Sequence, residues 1–178
     1  GLTGAPAILE TPLGWFAAAG GFEVDAIDGT LGNPWAFNDP GMWIKPFPSG
    51  ALTHPAVTLM LELIAKHDFI AEDVAHVRVL TNSRIRATLI HDRPTDVMQA
   101  RFSMPFCLGV TLLKGRVGLG EFTDEAIASA DVKALMERIE FAAYNQVEEG
   151  FTNVTSFLEI ELRDGTRHKG RADYGLGS

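Results

Sequence analysis

Apolar positions change their spacing along the chain, and each change predicts an element. Over residues 53–67, Val57, Met60, Leu61 and Ile64 recur at helical spacing. Thr53 or His54 stands where an N-cap belongs, and Pro55 suits the first helical turn, so a helix to about His67 is predicted. Beyond Ile70-Ala71-Glu72-Asp73, Val77 and Val79 alternate with Arg78, and a second run follows over 84–90, which together predict two short strands. Asp92-Arg93-Pro94-Thr95-Asp96 reads as a turn. After it, Phe102, Phe106, Val110 and Leu113 share one face of a buried helix over 97–113 that Gly115 ends. The 123–138 zone predicts two short helices divided near Ala130-Asp131, with Asp131 capping a half that carries Val132, Leu135, Met136 and Ile139. Leu158, Ile160 and Leu162 then alternate with Glu159, Glu161 and Arg163, and Asp164-Gly165 signals a hairpin whose return strand runs over 166–174.

Residues 1–50 are patterned differently, with turn signals at Gly20-Gly21, Gly32-Asn33-Pro34 and Asn38-Asp39-Pro40-Gly41. A short helix fits within 6–19, where Pro12 and Gly14 act as breakers. Helices lie between strand pairs and a regular βαβ repeat is absent. The pattern predicts an α+β fold, a mainly antiparallel sheet with helices packed on one face, as a single domain over 1–178 with a Gly/Pro-rich opening segment over 1–50.

Composition narrows the function classes. With 178 residues, 46% hydrophobic and 21% charged, the chain can bury a core without metals or cross-links. A net charge of −8 and the lack of any basic run argue against a nucleic-acid partner. No stretch approaches the roughly 18 apolar residues of a membrane span, and the opening residues lack the flank and apolar run of a signal peptide, so no membrane partner is expected. Cys107 is the only cysteine, which rules out intramolecular disulfides, four-cysteine zinc sites and self-contained iron–sulfur clusters and fits a cytoplasmic location. On an apolar helix its thiol is expected to be inert packing. The glycines of 115–120 lack the spacing of a dinucleotide loop, and His67, His76, His91 and His168 show no ligand spacing. Neither a metal nor a cofactor is expected.

Candidate chemistry concentrates in 40–55, where Lys45 sits among Pro40, Pro46, Pro48 and Pro55 with Trp43 and Phe47 beside it. Pro46 and Pro48 fix two φ angles and restrict the residues before them, so the Lys45 ammonium is presented at low entropic cost and can grip a carboxylate. A solvated lysine in an ordinary turn is the competing reading. His54, at a helix N-terminus, feels a dipole that disfavours its charged form, which suits either a neutral hydrogen-bonding group or a packing role.

Lys45-Pro46-Phe47-Pro48-Ser49 with Thr53-His54-Pro55, then Gln99-Ala100-Arg101-Phe102-Ser103-Met104-Pro105-Phe106, then Gly115-Arg116-Val117 with Phe122-Thr123-Asp124-Glu125, resemble in this order the MmgE/PrpD family. The opening Gly1-Leu2-Thr3-Gly4 with Ile8-Leu9-Glu10 and the final Asp164-Gly165 hairpin also fit. That family includes 2-methylcitrate dehydratase, cis-aconitate decarboxylase and an iminodisuccinate epimerase, which act beside carboxylates of small di- or tricarboxylic acids without an iron–sulfur cluster. The resemblance implies proton transfer next to a carboxylate, fixed cations holding the substrate, and no cofactor.

It further implies that the chain is the smaller α+β domain of a longer enzyme, an excised piece or a natural fragment, with a large helical domain absent. Much of the proton-transfer machinery would then lie in that missing domain. Lys45 matches the lysine that lines the interdomain cleft; where the decarboxylase branch has a histidine five residues later, this chain has Gly50. His54 is a candidate replacement, facing either the cleft or the core. Lys45 and His54 are thus the candidate catalytic residues, and Lys45, Ser49, Gly50, Arg101 and Ser103 the candidate substrate contacts. Competing roles for the last two are an exposed helix edge for Arg101 and a bond from Ser103 to a carbonyl one turn back. The expected activity is that of a 2-methylcitrate dehydratase-like lyase, with an epimerase or isomerase of a related acid as the alternative. A non-catalytic binding or assembly module is a third reading. Expected partners are a small carboxylic acid, the helical domain and, since family members are typically dimers, a second copy of the chain.

Overall fold

The computed structural model describes residues 6–9, 11, 14–18, 20–21, 32, 35, 37–38, 44–144 and 150–176. The chain divides into two compact units, Gly1–Trp43 and Ile44–Ser178. In the first unit a single helical turn, α1 (Trp15–Ala18), occupies part of the 6–19 segment. It starts after Gly14, where a Cβ would lie 2.5 Å from the Ile8 carbonyl oxygen. Gly20, Gly21 and Gly32 take positive φ, as their turn signals require. Asn38 N–H donates to the Trp35 carbonyl at 2.8 Å, while Asn33, Pro34, Asp39, Pro40, Gly41 and Pro12 lie outside the described residues.

The second unit holds the remaining elements: α2 (His54–His67), β1 (Val74–Thr81), α3 (Ser83–Thr88), α4 (Val97–Arg101), α5 (Met104–Lys114), α6 (Asp124–Ala128), α7 (Ala130–Met136), β2 (Ile139–Ala143), β3 (Ser156–Leu162) and β4 (Arg167–Ala172). The four strands form one sheet in the order β2-β1-β3-β4. β1 runs parallel to β2 and antiparallel to β3, and β3 and β4 form the Asp164-Gly165 hairpin, with Gly165 at φ 86°. The fold is therefore α+β with a mostly antiparallel sheet, as the residue pattern predicts.

Alternation along the strands sorts the sheet's two faces. Val77 and Val79 of β1 stand in register with Ile139 and Phe141 of β2 and with Ile160 and Leu158 of β3, and all six are buried. α2 and α5 cover this face. Gly170 of β4 allows α2 to approach so closely that a Cβ there would lie 2.6 Å from Leu59 Cδ1. The opposite face carries ion pairs: Arg78–Glu140 at 3.3 Å, Lys169–Glu159 at 2.6 Å and Arg167–Glu161 at 2.8 Å. Such exposed pairs are each worth about 0–1 kcal/mol, so the sheet is held chiefly by its apolar face.

Three expectations are corrected. Residues 84–90 do not form a strand: Asn82 Oδ1 accepts from the Ile85 N–H at 2.8 Å and caps α3, which buries Ile85 with Leu89 one turn on. The helix expected over 97–113 is two helices. Asp96 caps α4, and Ser103 caps α5 by accepting from the Phe106 N–H at 3.2 Å, so Ser103 does not bond back as a mid-helix serine would. The division of 123–138 holds, but Ser129 rather than Asp131 caps α7, and Ile139 belongs to β2 rather than to the helix.

Leu158 is fully buried between β1 and β4 under the helices. Leu158→Ala is expected to lower stability by about 2–5 kcal/mol in urea unfolding, whereas Lys169→Ala on the outer face changes it by less than about 1 kcal/mol.

Candidate functional site

The proline-braced segment precedes α2 and is anchored from beneath. Phe47 is buried while Lys45 and Pro46 are exposed. The chain then makes a single 3₁₀ turn, Ala51–Thr53, into α2. The Thr53 hydroxyl donates to the Gly50 carbonyl at 2.9 Å, leaving its oxygen to accept from the Ser49 hydroxyl at 2.8 Å. Both hydroxyls are buried and occupied within the turn.

The Ser49 carbonyl is where the two candidate catalytic side chains meet. Lys45 Nζ donates to it at 3.4 Å, and His54 Nε2 lies 3.3 Å from it. A neutral imidazole protonated on Nε2 donates there. The His54 ring is buried, edge-on to Phe47 with centroids 5.3 Å apart, and covered by the C-terminal segment, since a Cβ on Gly175 would lie 2.7 Å from His54 Cβ. Burial pulls the His54 pKa below its ordinary value of 6.5, and the nearby Lys45 charge adds to the shift, while bonds to the Ser49 and Phe47 carbonyls partly offset it. His54 is thus a core-side group tied to the turn that carries Lys45.

The second matching segment lies directly against the first. The Gly50 N–H donates to the Arg101 carbonyl at 2.8 Å, across the break between α4 and α5. Gly50 has φ −58°, so its backbone does not demand glycine. Space does: a Cβ there would lie 3.0 Å from Cδ1 of Phe102. Phe102 is 42% exposed, and Arg101, half-buried, keeps a buried Nε that no acceptor among the described residues reaches. Ser103 is fully buried in its cap. Near Gly50, Lys45 and Phe102 are exposed and Arg101 is half-buried, while Ser49, Ser103 and His54 are buried. Phe102, expected on the buried face of a continuous helix, is instead exposed beside Gly50, because the chain breaks there between α4 and α5.

Cys107 lies under the same turn. Its thiol is fully buried and pushed up to about 12 by desolvation, so it stays protonated and inert as expected. Among the described residues no group of three or more His, Cys, Asp or Glu is placed to hold a metal ion, and no helix is long and apolar enough to cross a membrane.

The exposed Lys45 thus sits on a proline-braced turn whose backbone is bonded to the break between α4 and α5 in a small α+β unit. The chain belongs to the MmgE/PrpD family: residues 47–178 match the MmgE/PrpD C-terminal domain. A C-terminal domain implies a companion domain in the family. Comparison with curated proteins gives no match.

Two predictions follow from this geometry. The depressed His54 pKa means that the unfolded chain takes up the proton first, so the stability from neutral His54 is fully present above about pH 6.5 and is lost as pH falls below it. Urea unfolding from pH 5 to 8 should show this slope in the wild type and a flatter one in His54→Gln. Gly50→Ala should cost about 1 kcal/mol by crowding Phe102, and the cost should vanish in a Phe102→Ala background; an equal cost in both backgrounds would refute the steric coupling.

Proposed function

We propose that this domain supplies one wall of the active site of a 2-methylcitrate dehydratase-like lyase that acts on a small di- or tricarboxylic acid. The observation that carries the reading is the exposed Lys45 ammonium, held over the Ser49 carbonyl by a turn that is itself bonded to Arg101. A cation fixed in this way binds a substrate carboxylate and lowers the energy of the negative charge that builds on it as the neighbouring carbon loses its proton. Arg101, half-buried beside Gly50, is the second carboxylate anchor. His54 acts as a positioning residue, because a buried neutral ring bonded to the turn orients Lys45 rather than shuttling protons. The proton-transfer groups come from the helical companion domain. Ile44, 85% exposed beside Lys45, and Phe102 form an apolar border that such a domain covers on docking.

Gly50 leaves no proton donor where the decarboxylase branch has histidine, which favours dehydration over decarboxylation. Epimerisation of a related acid uses the same proton abstraction and is separated from dehydration by the product formed. In an assay that combines the chain with the family's helical domain, 2-methylcitrate-type acids should be turned over, and Lys45→Met should lower kcat/KM by about 10- to 100-fold. Unchanged kcat/KM in Lys45→Met, or full turnover by the 178-residue chain alone, would sink the proposal.

A further inference from the structure

The segment that follows β4 crosses the first turn of α2 and reaches the residues beneath Lys45. It is anchored where it leaves the sheet: the Thr152 hydroxyl donates to the Asp173 carbonyl at 2.6 Å, and Asp173 Oδ1 accepts from the Thr155 hydroxyl at 2.7 Å and from Arg171 Nε at 2.8 Å. Further on, the Leu176 N–H donates to Thr58 Oγ1 of α2 at 2.9 Å. Between these anchors Gly175 lies on His54, where an added Cβ would stand 2.7 Å from His54 Cβ and 3.4 Å from its carbonyl carbon. The side chains of Tyr174 and Leu176 are exposed, so the span is fastened to α2 through backbone atoms.

A strap fixed at both ends and resting on a side chain restricts that side chain. His54 is buried under it, edge-on to Phe47, with Nε2 3.3 Å from the Ser49 carbonyl that also accepts from Lys45 Nζ at 3.4 Å. Glycine at 175 sets how closely the strap lies, because any side chain there would meet the start of α2. Thr58 sets whether it stays down, since its hydroxyl is the acceptor that closes the far anchor. The cover contributes to the burial that favours the neutral imidazole. Strap and lysine are therefore joined through one intermediary, the His54 ring on the Ser49 carbonyl.

We propose that Gly175 and Thr58 are positioning residues for Lys45: they hold the strap over His54, and the held ring fixes the Ser49 carbonyl to which the lysine is tied. The inference rests on the reading of Lys45 as a carboxylate-binding cation, but its first test needs no turnover. In the chain labelled with ¹⁵N-histidine and ¹³C-lysine, Thr58→Val removes the acceptor at nearly constant volume, and Thr58→Ser keeps it. Thr58→Val should move the His54 titration up toward its ordinary value of 6.5 and draw the two Lys45 ε-proton shifts together. Thr58→Ser should leave both as in the wild type. Gly175→Ala, which forces the strap off the ring, should act like Thr58→Val. In a His54→Gln background Thr58→Val should leave the Lys45 shifts unmoved, because the intermediary is gone. With the helical domain added, Thr58→Val should lower kcat/KM by about 2- to 10-fold and Thr58→Ser should restore it. Unmoved His54 and Lys45 signals in folded Thr58→Val and Gly175→Ala, equal effects of Thr58→Val and Thr58→Ser, or a Lys45 change that persists in His54→Gln would each overturn the positioning role. Absence of turnover in the wild type would count against the carboxylate-site reading alone, and the spectroscopic result would still decide this one.

Discussion

A backbone hydrogen bond between two distant segments, Gly50 N–H to Arg101 carbonyl at 2.8 Å, organises the candidate surface. It joins a turn with little conformational freedom to a helix break that exists because Ser103 caps one helix directly after another ends. Without it, Lys45 would be a mobile surface charge and Arg101 the end of an unrelated helix. With it, the backbones that carry Lys45 and Arg101 share a scaffold with occupied hydroxyls, a neutral imidazole and an un-ionised thiol beneath. Every buried polar group in that layer is committed to the turn or to a cap, so charge is left only at the exposed border.

The asymmetry of the sheet serves the same end. One face is apolar and carries α2, whose N-terminus begins where the lysine turn stops. Because Gly170 lets α2 lie close on β4, the helix is held by packing at the far side of the domain as well as by the 3₁₀ turn that leads into it. The turn therefore inherits its position from the core, which is how a loop without regular structure can hold a cation in one place.

Much of this was legible from residue order where the signals are local. The α2 start, the β3–β4 hairpin, the division of 123–138 and the inert cysteine each rest on neighbours within a few positions. Residues 84–90 misled because Arg84-Ile85-Arg86 alternates like a strand over too short a span for the Ile85–Leu89 helical spacing to stand out. β2 was missed because Ile139 continues the apolar stripe of α7 and the strand finds its partner, Val77, only through a long crossover. In the site, residue types were readable but directions were not. Ser49 and Ser103, read as candidate substrate contacts, make internal bonds that residue order does not reveal, and Phe102 owes its place to a tertiary contact.

Arg86 also guards one edge of the sheet. By occupying the Phe141 carbonyl on the outer side of β2, it plugs the end of the sheet where another chain would dock its backbone. The opposite border, β4, bears Arg167, Lys169 and Arg171, each ion-paired with a neighbouring carboxylate. A strand adding beside β2 would first have to displace the Arg86 guanidinium from that carbonyl, so the free edge of β2 carries its own plug.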